Sequence, residues 1–203
     1  MKKLPWIVWS PVVLALGACG QPAPAVDSST ALPSGALMAQ MIAPEGVITE
    51  GQGIGSVQLG QSRAQVEAVL GAPSQCTTTA SAKWGTLPLC RWNHASGGRL
   101  EVVYRDATVR TVKKAPPTAT EPTGVVNISV YTLPGYLTTR GVGTGQYSGA
   151  VYQTYGSAVF TYGNSAILPA QDQAGRTVHT RFSWPAYNNT VLRSIDVKYP
   201  DAP

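Results

Sequence analysis

Two stretches 85 residues apart share one framework, and that duplication limits the folds open to the chain more than any other feature. Gly60 and Gly71 are as far apart as Gly145 and Gly156, and between them Gln61, Val66 and Leu70 align without a gap with Gln146, Val151 and Tyr155. A second block follows at an offset of 83: YRDATVRTV from Tyr104 aligns with YNNTVLRSI from Tyr187, pairing Asp106 with Asn189, Arg110 with Arg193 and Val112 with Ile195. Self-similarity at a nearly constant spacing marks a repeated supersecondary unit.

In the first unit Ser62 caps a helix and Gln65, three residues on, reaches back as in a capping box, while Val66, Val69 and Leu70 fall on one side at helical spacing. Gly71 and Pro73 end it. Two turns of helix are marginal alone, so the apolar stripe needs a surface to lie on. The following segments supply it: 74–84, 87–94, 99–105 and 108–114 read as strands, with turns at Ser96-Gly97-Gly98 and Asp106-Ala107, and Leu100, Val102 and Tyr104 share a face by alternation. In the second unit Tyr147, Gly149 and Thr154 replace Ser62, Ala64 and Val69, which weakens the helix. Segments 158–162, 165–170, 177–184 and 190–199 still read as strands, with a hairpin turn at Gly163-Asn164. After the proline-rich join at 115–124, residues 125–133 read as a strand that bridges the units. The expected fold class is α+β, with two tandem repeats over 47–115 and 116–203, each a short helix packed on an antiparallel sheet.

The chain opens MKKLPWIVWSPVVLALGAC, a charged start followed by an apolar run from Leu4 to Leu16, which is the grammar of an export signal. The run falls short of the roughly 20 residues a spanning helix needs, and Pro5 and Pro11 interrupt it. Its ending, Leu16-Gly17-Ala18-Cys19, resembles the bacterial lipobox. Residues 1–18 are therefore read as a lipoprotein signal peptide and Cys19 as the lipidated (palmitate-type) first mature residue. Ordinary secretory cleavage after Ala18 is the alternative. Residues 19–46, rich in Ala, Pro, Ser and Gly, read as a flexible tether. Gly20 carries no aspartate-type retention signal, which favours an outer membrane and a domain facing the periplasm.

Lipidation of Cys19 leaves Cys76 and Cys90 as an even pair in an oxidising compartment, and a disulfide between them is predicted. The rival is a zinc site that adds His94, but Cys76, Cys90 and His94 hold no close Cys-x-x-Cys pair, so no metal is expected. Removing Lys2 and Lys3 lowers the formal charge from +5 to +3, and the remaining basic residues are scattered singly or in pairs such as Lys113-Lys114. Nothing in that pattern suits a nucleic acid.

The stretches GSVQLGQSRAQVEAVLGAP from Gly55 and LEVVYRDATVRTV from Leu100 resemble the tandem family that includes β-lactamase-inhibitor protein and, as a single unit, the small outer-membrane lipoprotein of the β-barrel assembly machinery. The resemblance implies a helix-on-sheet fold whose members inhibit enzymes, brace membrane assemblies or bind partners across the sheet. It does not fix the task. The second unit carries the likeness mainly through the internal repeat, and no loop matching the inhibitor's contact residues is recognisable.

Catalytic chemistry is thinly provided: two histidines, His94 and His179, and ten acidic residues. The nearest string to a nucleophile elbow, Gly145-Gln146-Tyr147-Ser148-Gly149, has its serine one place late, and His179 sits in a strand without a partner in view. GQGIGS from Gly51 and GVGTG from Gly141 do not complete a dinucleotide fingerprint and read instead as close approaches of chain to sheet. No enzyme activity and no cofactor are expected. Eight of the nine tyrosines lie in or near the second unit, and Tyr155 and Tyr187 align with the apolar framework. Of the rest, Tyr136, Tyr147 and Tyr152, with Trp184, are taken as a partner-binding patch, since Tyr and Trp are enriched at interfaces. The expected function is that of a non-catalytic, lipid-anchored envelope protein that meets the membrane through Cys19 and binds or scaffolds a protein partner. A glycan partner is the lesser alternative, as are an inhibitor of an extracytoplasmic enzyme and an uncharacterised envelope enzyme.

Overall fold

A computed structural model describes residues 46–108, 121–186 and 190–203. The expected signal segment, Cys19, nearly all of the expected tether, most of the strand expected at 108–114 and Tyr187 lie outside the described residues. The described chain opens with three short strands, β1 (Gly46–Thr49), β2 (Gly53–Ile54) and β3 (Val57–Gln58), followed by helix α1 (Arg63–Leu70). Strands β4 (Gln75–Ser81), β5 (Gly85–Asn93), β6 (Arg99–Arg105) and β7 (Gly124–Tyr131) come next, then the three-residue β8 (Tyr136–Thr138) and helix α2 (Ser148–Tyr155). Strands β9 (Phe160–Thr161), β10 (Ser165–Gln171), β11 (Thr177–Ser183) and β12 (Ser194–Lys198) complete it.

The helices occupy the aligned stretches, eight residues each, but their ends are held differently. Ser62 Oγ accepts from Gln65 N at 3.3 Å and Gln65 Oε1 accepts from Ser62 N at 2.8 Å, so α1 has the expected capping box. Tyr147, at the same place before α2, caps nothing with its side chain. Backbone pairing replaces the cap there: Ser148 N donates to Thr190 O at 2.7 Å and Leu192 N to Gln146 O at 2.8 Å. α1 buries only Val66 fully, and Val69, read as part of the apolar stripe, is 54% exposed.

The expected α+β fold of two helix-on-sheet repeats is corrected by the strand order. The protein is mostly β, with a single eight-stranded antiparallel sheet in the order β4-β5-β6-β7-β12-β11-β10-β9 and a second, four-stranded sheet, β3-β2-β1-β8. Neither unit closes a sheet of its own. β7 pairs with β6 along one edge and with β12 along the other, so the join between the units is a hydrogen-bonded centre rather than a boundary. The physical reason lies in β7 itself: Val125 to Val130 are all buried, and a buried strand must satisfy its backbone on both edges.

Two short helices are also too small to cover eight strands, and the four-stranded sheet completes the covering layer. Ile48, Ile54 and Val57 point into the core, where Ile128, Ile195, Val197 and Phe182 of the large sheet are at 0% exposure. The approach is close because of Gly51: its N–H donates to Thr180 Oγ1 at 3.0 Å, and a Cβ built on it would lie 2.4 Å from Ala170 Cβ. Trp92 Nε1 donates to Gly71 O at 3.1 Å, which fixes α1 on the same face. Cys76 and Cys90 form the disulfide, directly opposed across β4 and β5.

Candidate functional site: the open face of the eight-stranded sheet

Alternation sends the other half of each strand's side chains to the opposite face, and there the middle of the sheet is polar, while Leu87, Leu89 and Val103 on β5 and β6 are buried toward one end. Arg91, Glu101, Ser129, Asp196 and Arg181 are successive partners on β5, β6, β7, β12 and β11, so they form one row straight across the sheet. The row beside it runs Arg99, Tyr131, Ser194, Ser183 and Ser165, and on the other side Asn127, Lys198 and His179 stand in line. Glu101 lies between two guanidinium groups, with Arg91 Nε at 2.7 Å and Arg99 Nε at 2.8 Å. Arg99 also stacks over Tyr131, 4.3 Å from its ring centre.

The central acids are buried among their long neighbours: Glu101 is 6% and Asp196 8% exposed. Burial raises the Asp196 carboxyl above its ordinary value, with the Glu101 charge adding to it, and a hydrogen bond from Ser129 and the charges of Lys198 and Arg181 working against it. Burial lowers the Lys198 ammonium, opposed by Asp196, and its Nζ donates to Ala202 O at 2.6 Å. His179 is lowered by burial and then by the Lys198 charge, so it is neutral at pH 7. Tyr131 is pushed up to about 12, chiefly by burial and then by Asp196 and Glu101. These rows set four basic side chains, Arg91, Arg99, Arg181 and Lys198, against two acidic ones, Glu101 and Asp196, an excess of basic groups.

One edge of the face is aromatic. Phe160 on β9 is 48% exposed and meets the His179 ring edge-on at 6.3 Å, and Tyr162 just beyond is 70% exposed. At one end the C-terminal residues fold over, with Asn127 Nδ2 donating to Pro203 O at 2.6 Å and Ser81 Oγ to Asp201 O at 2.8 Å. Beneath that end Arg105 is buried against Trp84 and donates to Pro122 O and Glu121 Oε2. Over the middle of the face Arg91, Arg99 and Arg181 are half-buried and reach solvent above the buried acids and serines.

Comparison with family models, curated proteins and solved structures finds no match to this chain.

The residues picked out from the sequence lie on the helix side. Tyr147 is 70% and Tyr152 37% exposed, while Tyr136 and Trp184 are buried at 4% and 8%. Tyr136 packs against Gly46, and Trp184 meets Tyr152 edge-on at 6.5 Å, with Tyr152 Oη bonded to Thr161 Oγ1 at 3.0 Å. Tyr136 and Trp184 thus serve the core, and their burial leaves a partner little to touch. Tyr155 is core as well, its ring 5.4 Å from Phe182 and its hydroxyl donating to Glu50 Oε1 at 2.5 Å with Thr138 Oγ1 at 2.8 Å on its other side. The cysteines are bonded to each other, and His94 Nδ1 is engaged by Ser96 at the β5–β6 turn. The sequence reading missed the polar rows. Their signal was present as alternation in Arg99-x-Glu101, Asn127-x-Ser129, His179-x-Arg181 and Asp196-x-Lys198, but only the strand order assembles them.

Proposed function

We propose that the protein is a non-catalytic envelope lipoprotein, anchored through Cys19, that holds an acidic segment of a protein partner on the open face of its eight-stranded sheet. The observation that carries this reading is the row Arg91, Glu101, Ser129, Asp196, Arg181, in which the acids and Ser129 are buried and the half-buried guanidinium groups at its ends reach solvent, flanked by Arg99 and Lys198 and edged by Phe160 and Tyr162. Guanidinium groups at fixed spacing take carboxylates through paired hydrogen bonds, and exposed aromatic rings beside them supply the apolar anchor that interfaces concentrate. The excess of basic groups favours an acidic occupant over a basic one. The buried Asp196 supports the same reading, because an acidic group held in the row against its own desolvation costs stability. His179 packs on Phe160 beside Lys198, a setting that suits a wall of the surface better than a proton carrier.

A photo-reactive residue placed at Tyr162, on the open-face edge, tests the assignment against one placed at Ser157, exposed beside α2. Crosslinking in intact cells is expected to trap a protein partner from position 162 and not from 157. Trapping from 157 alone would move the interface to the helix side, and no adduct from either would remove the partner.

A further inference from the structure

The free edge of β4 differs in kind from the other edge of the sheet. Cys76 and Cys90 are directly opposed with Cα atoms 4.1 Å apart, the closeness of an antiparallel pair that exchanges no backbone hydrogen bonds. The N–H and C=O of Cys76 therefore point away from β5, and alternation makes those of Thr78 and Ala80 do the same. β4 ends the sheet, Cys76, Thr77, Thr78 and Ala80 are exposed, and among the described residues no strand pairs with its outer side. Exposed edges are ordinarily blunted by shortness, charge, proline or a bulge. β9, at the other end, is two residues long. β4 is seven residues, and QCTTTAS contains neither a charge nor a proline.

We propose that β4 is a self-pairing edge, which joins antiparallel to β4 of a second copy of this chain about a two-fold axis at Thr78. Such an axis sets each residue opposite its own symmetry mate, so a charge near the axis would meet its like. β4 is free of charge, and the other long uncharged strands, β7 and β10, are paired on both edges. The side chains match under this axis: Thr78 faces Thr78, Thr77 faces Thr79, and the bulky disulfide side of Cys76 faces the small Ala80. The disulfide holds the edge in strand form before pairing, which lowers the ordering cost of association. An axis of this kind stands perpendicular to the sheet, so the two open faces look the same way and form one continuous surface. The pairing does not rest on the function proposed above.

Sedimentation velocity of the mature protein in detergent, at micromolar concentration, reads the assembly directly. The unsubstituted protein is expected to run as a dimer. Thr78→Pro removes an N–H that the monomer does not use, and Thr78→Lys puts two ammonium groups face to face; each should weaken the dimer by more than about tenfold. The thermal midpoint of the Thr78→Lys protein should stay unchanged, which separates lost pairing from lost folding, and amide exchange at Cys76, Thr78 and Ala80 should be slow in the dimer and fast in this variant. A monomeric unsubstituted protein would overturn the proposal, and so would a dimer that survives Thr78→Lys.

Discussion

Cutting the link between Cys76 and Cys90 separates two contributions that the structure places on one bond. The bond closes a loop with a sequence separation of 14, for which the chain-entropy account gives about 3 kcal/mol. In a domain of this size each kcal/mol moves the thermal midpoint by about 2–4 °C, so loss of the link should lower it by about 6–12 °C. The two sulfurs sit in unlike places: Cys76 is exposed, while Cys90 is at 0% exposure in the core. Cys76→Ser should therefore lose the link alone, whereas Cys90→Ser also buries a hydroxyl and should be less stable by a further 1–3 kcal/mol or so. Urea unfolding followed by tryptophan fluorescence is a suitable assay, because Trp84 and Trp92 are buried at 2% and 1% and Trp92 stands two residues from Cys90. Alkylation before and after reduction verifies that two thiols appear only on reduction. Equal stability for Cys76→Ser and the unsubstituted protein would refute the loop argument, and equal losses for the two single variants would refute the placement of Cys90 in the core.

Other consequences follow from single positions. Asp196 has a native pKa raised above its unfolded value, so the native state holds that proton more tightly; its contribution is fully present below the unfolded value and is lost as pH rises through the native one. Asp196→Asn should accordingly gain stability over the unsubstituted protein toward neutral pH, and the gap in urea midpoint should close on acidification. Gly51→Ala, at φ +75 with its Cβ 2.4 Å from Ala170 Cβ, should cost about 1–3 kcal/mol in thermal unfolding, while Gly145→Ala, equally left-handed at φ +88 but with open space, should cost only about 1. Metabolic labelling with a tagged fatty acid should mark the exported protein and be abolished by Cys19→Ala; label retained in that variant would contradict the anchor.

The sequence carried local information well and lateral information poorly. The capping box at Ser62 and Gln65 and the long strands around Leu100 and Phe182 were legible because each is written in residues close along the chain or in plain alternation, and the Cys76–Cys90 bond because two cysteines remain once Cys19 is set aside. Strands β1, β2, β3 and β8 span two to four residues each, too short for alternation to register, so the second sheet was hidden among glycines. The bridging strand at 125–133 was legible as well; what stayed hidden was that the two sheets fuse into one along both of its edges. A repeat announces equal parts but not whether their sheets end or fuse, and that was decided by the two buried edges of β7. Tyr136 and Trp184 were chosen by residue type; the alternation that puts Trp184 beside Phe182 on the inner face was available, whereas Tyr136 sits on a strand of three residues with no such pattern. Tyr147 kept its exposure, because backbone pairing with Thr190 and Leu192 does the capping that its side chain does not.

The most direct test of the central claim is the affinity of the purified protein for the partner that crosslinking recovers, measured for Arg181→Glu and Tyr147→Ala beside the unsubstituted chain. Arg181 stands in the charged row with its Nε donating to Ser165 Oγ at 2.9 Å, and Tyr147 stands at the start of α2 on the other side of the sheet. A surface that takes an acidic segment predicts that Arg181→Glu weakens binding by more than about tenfold, roughly 1.4 kcal/mol, that added salt weakens the unsubstituted complex as well, and that Tyr147→Ala changes neither. Binding that tolerates Arg181→Glu and is lost with Tyr147→Ala would contradict the account and place the partner on the helices.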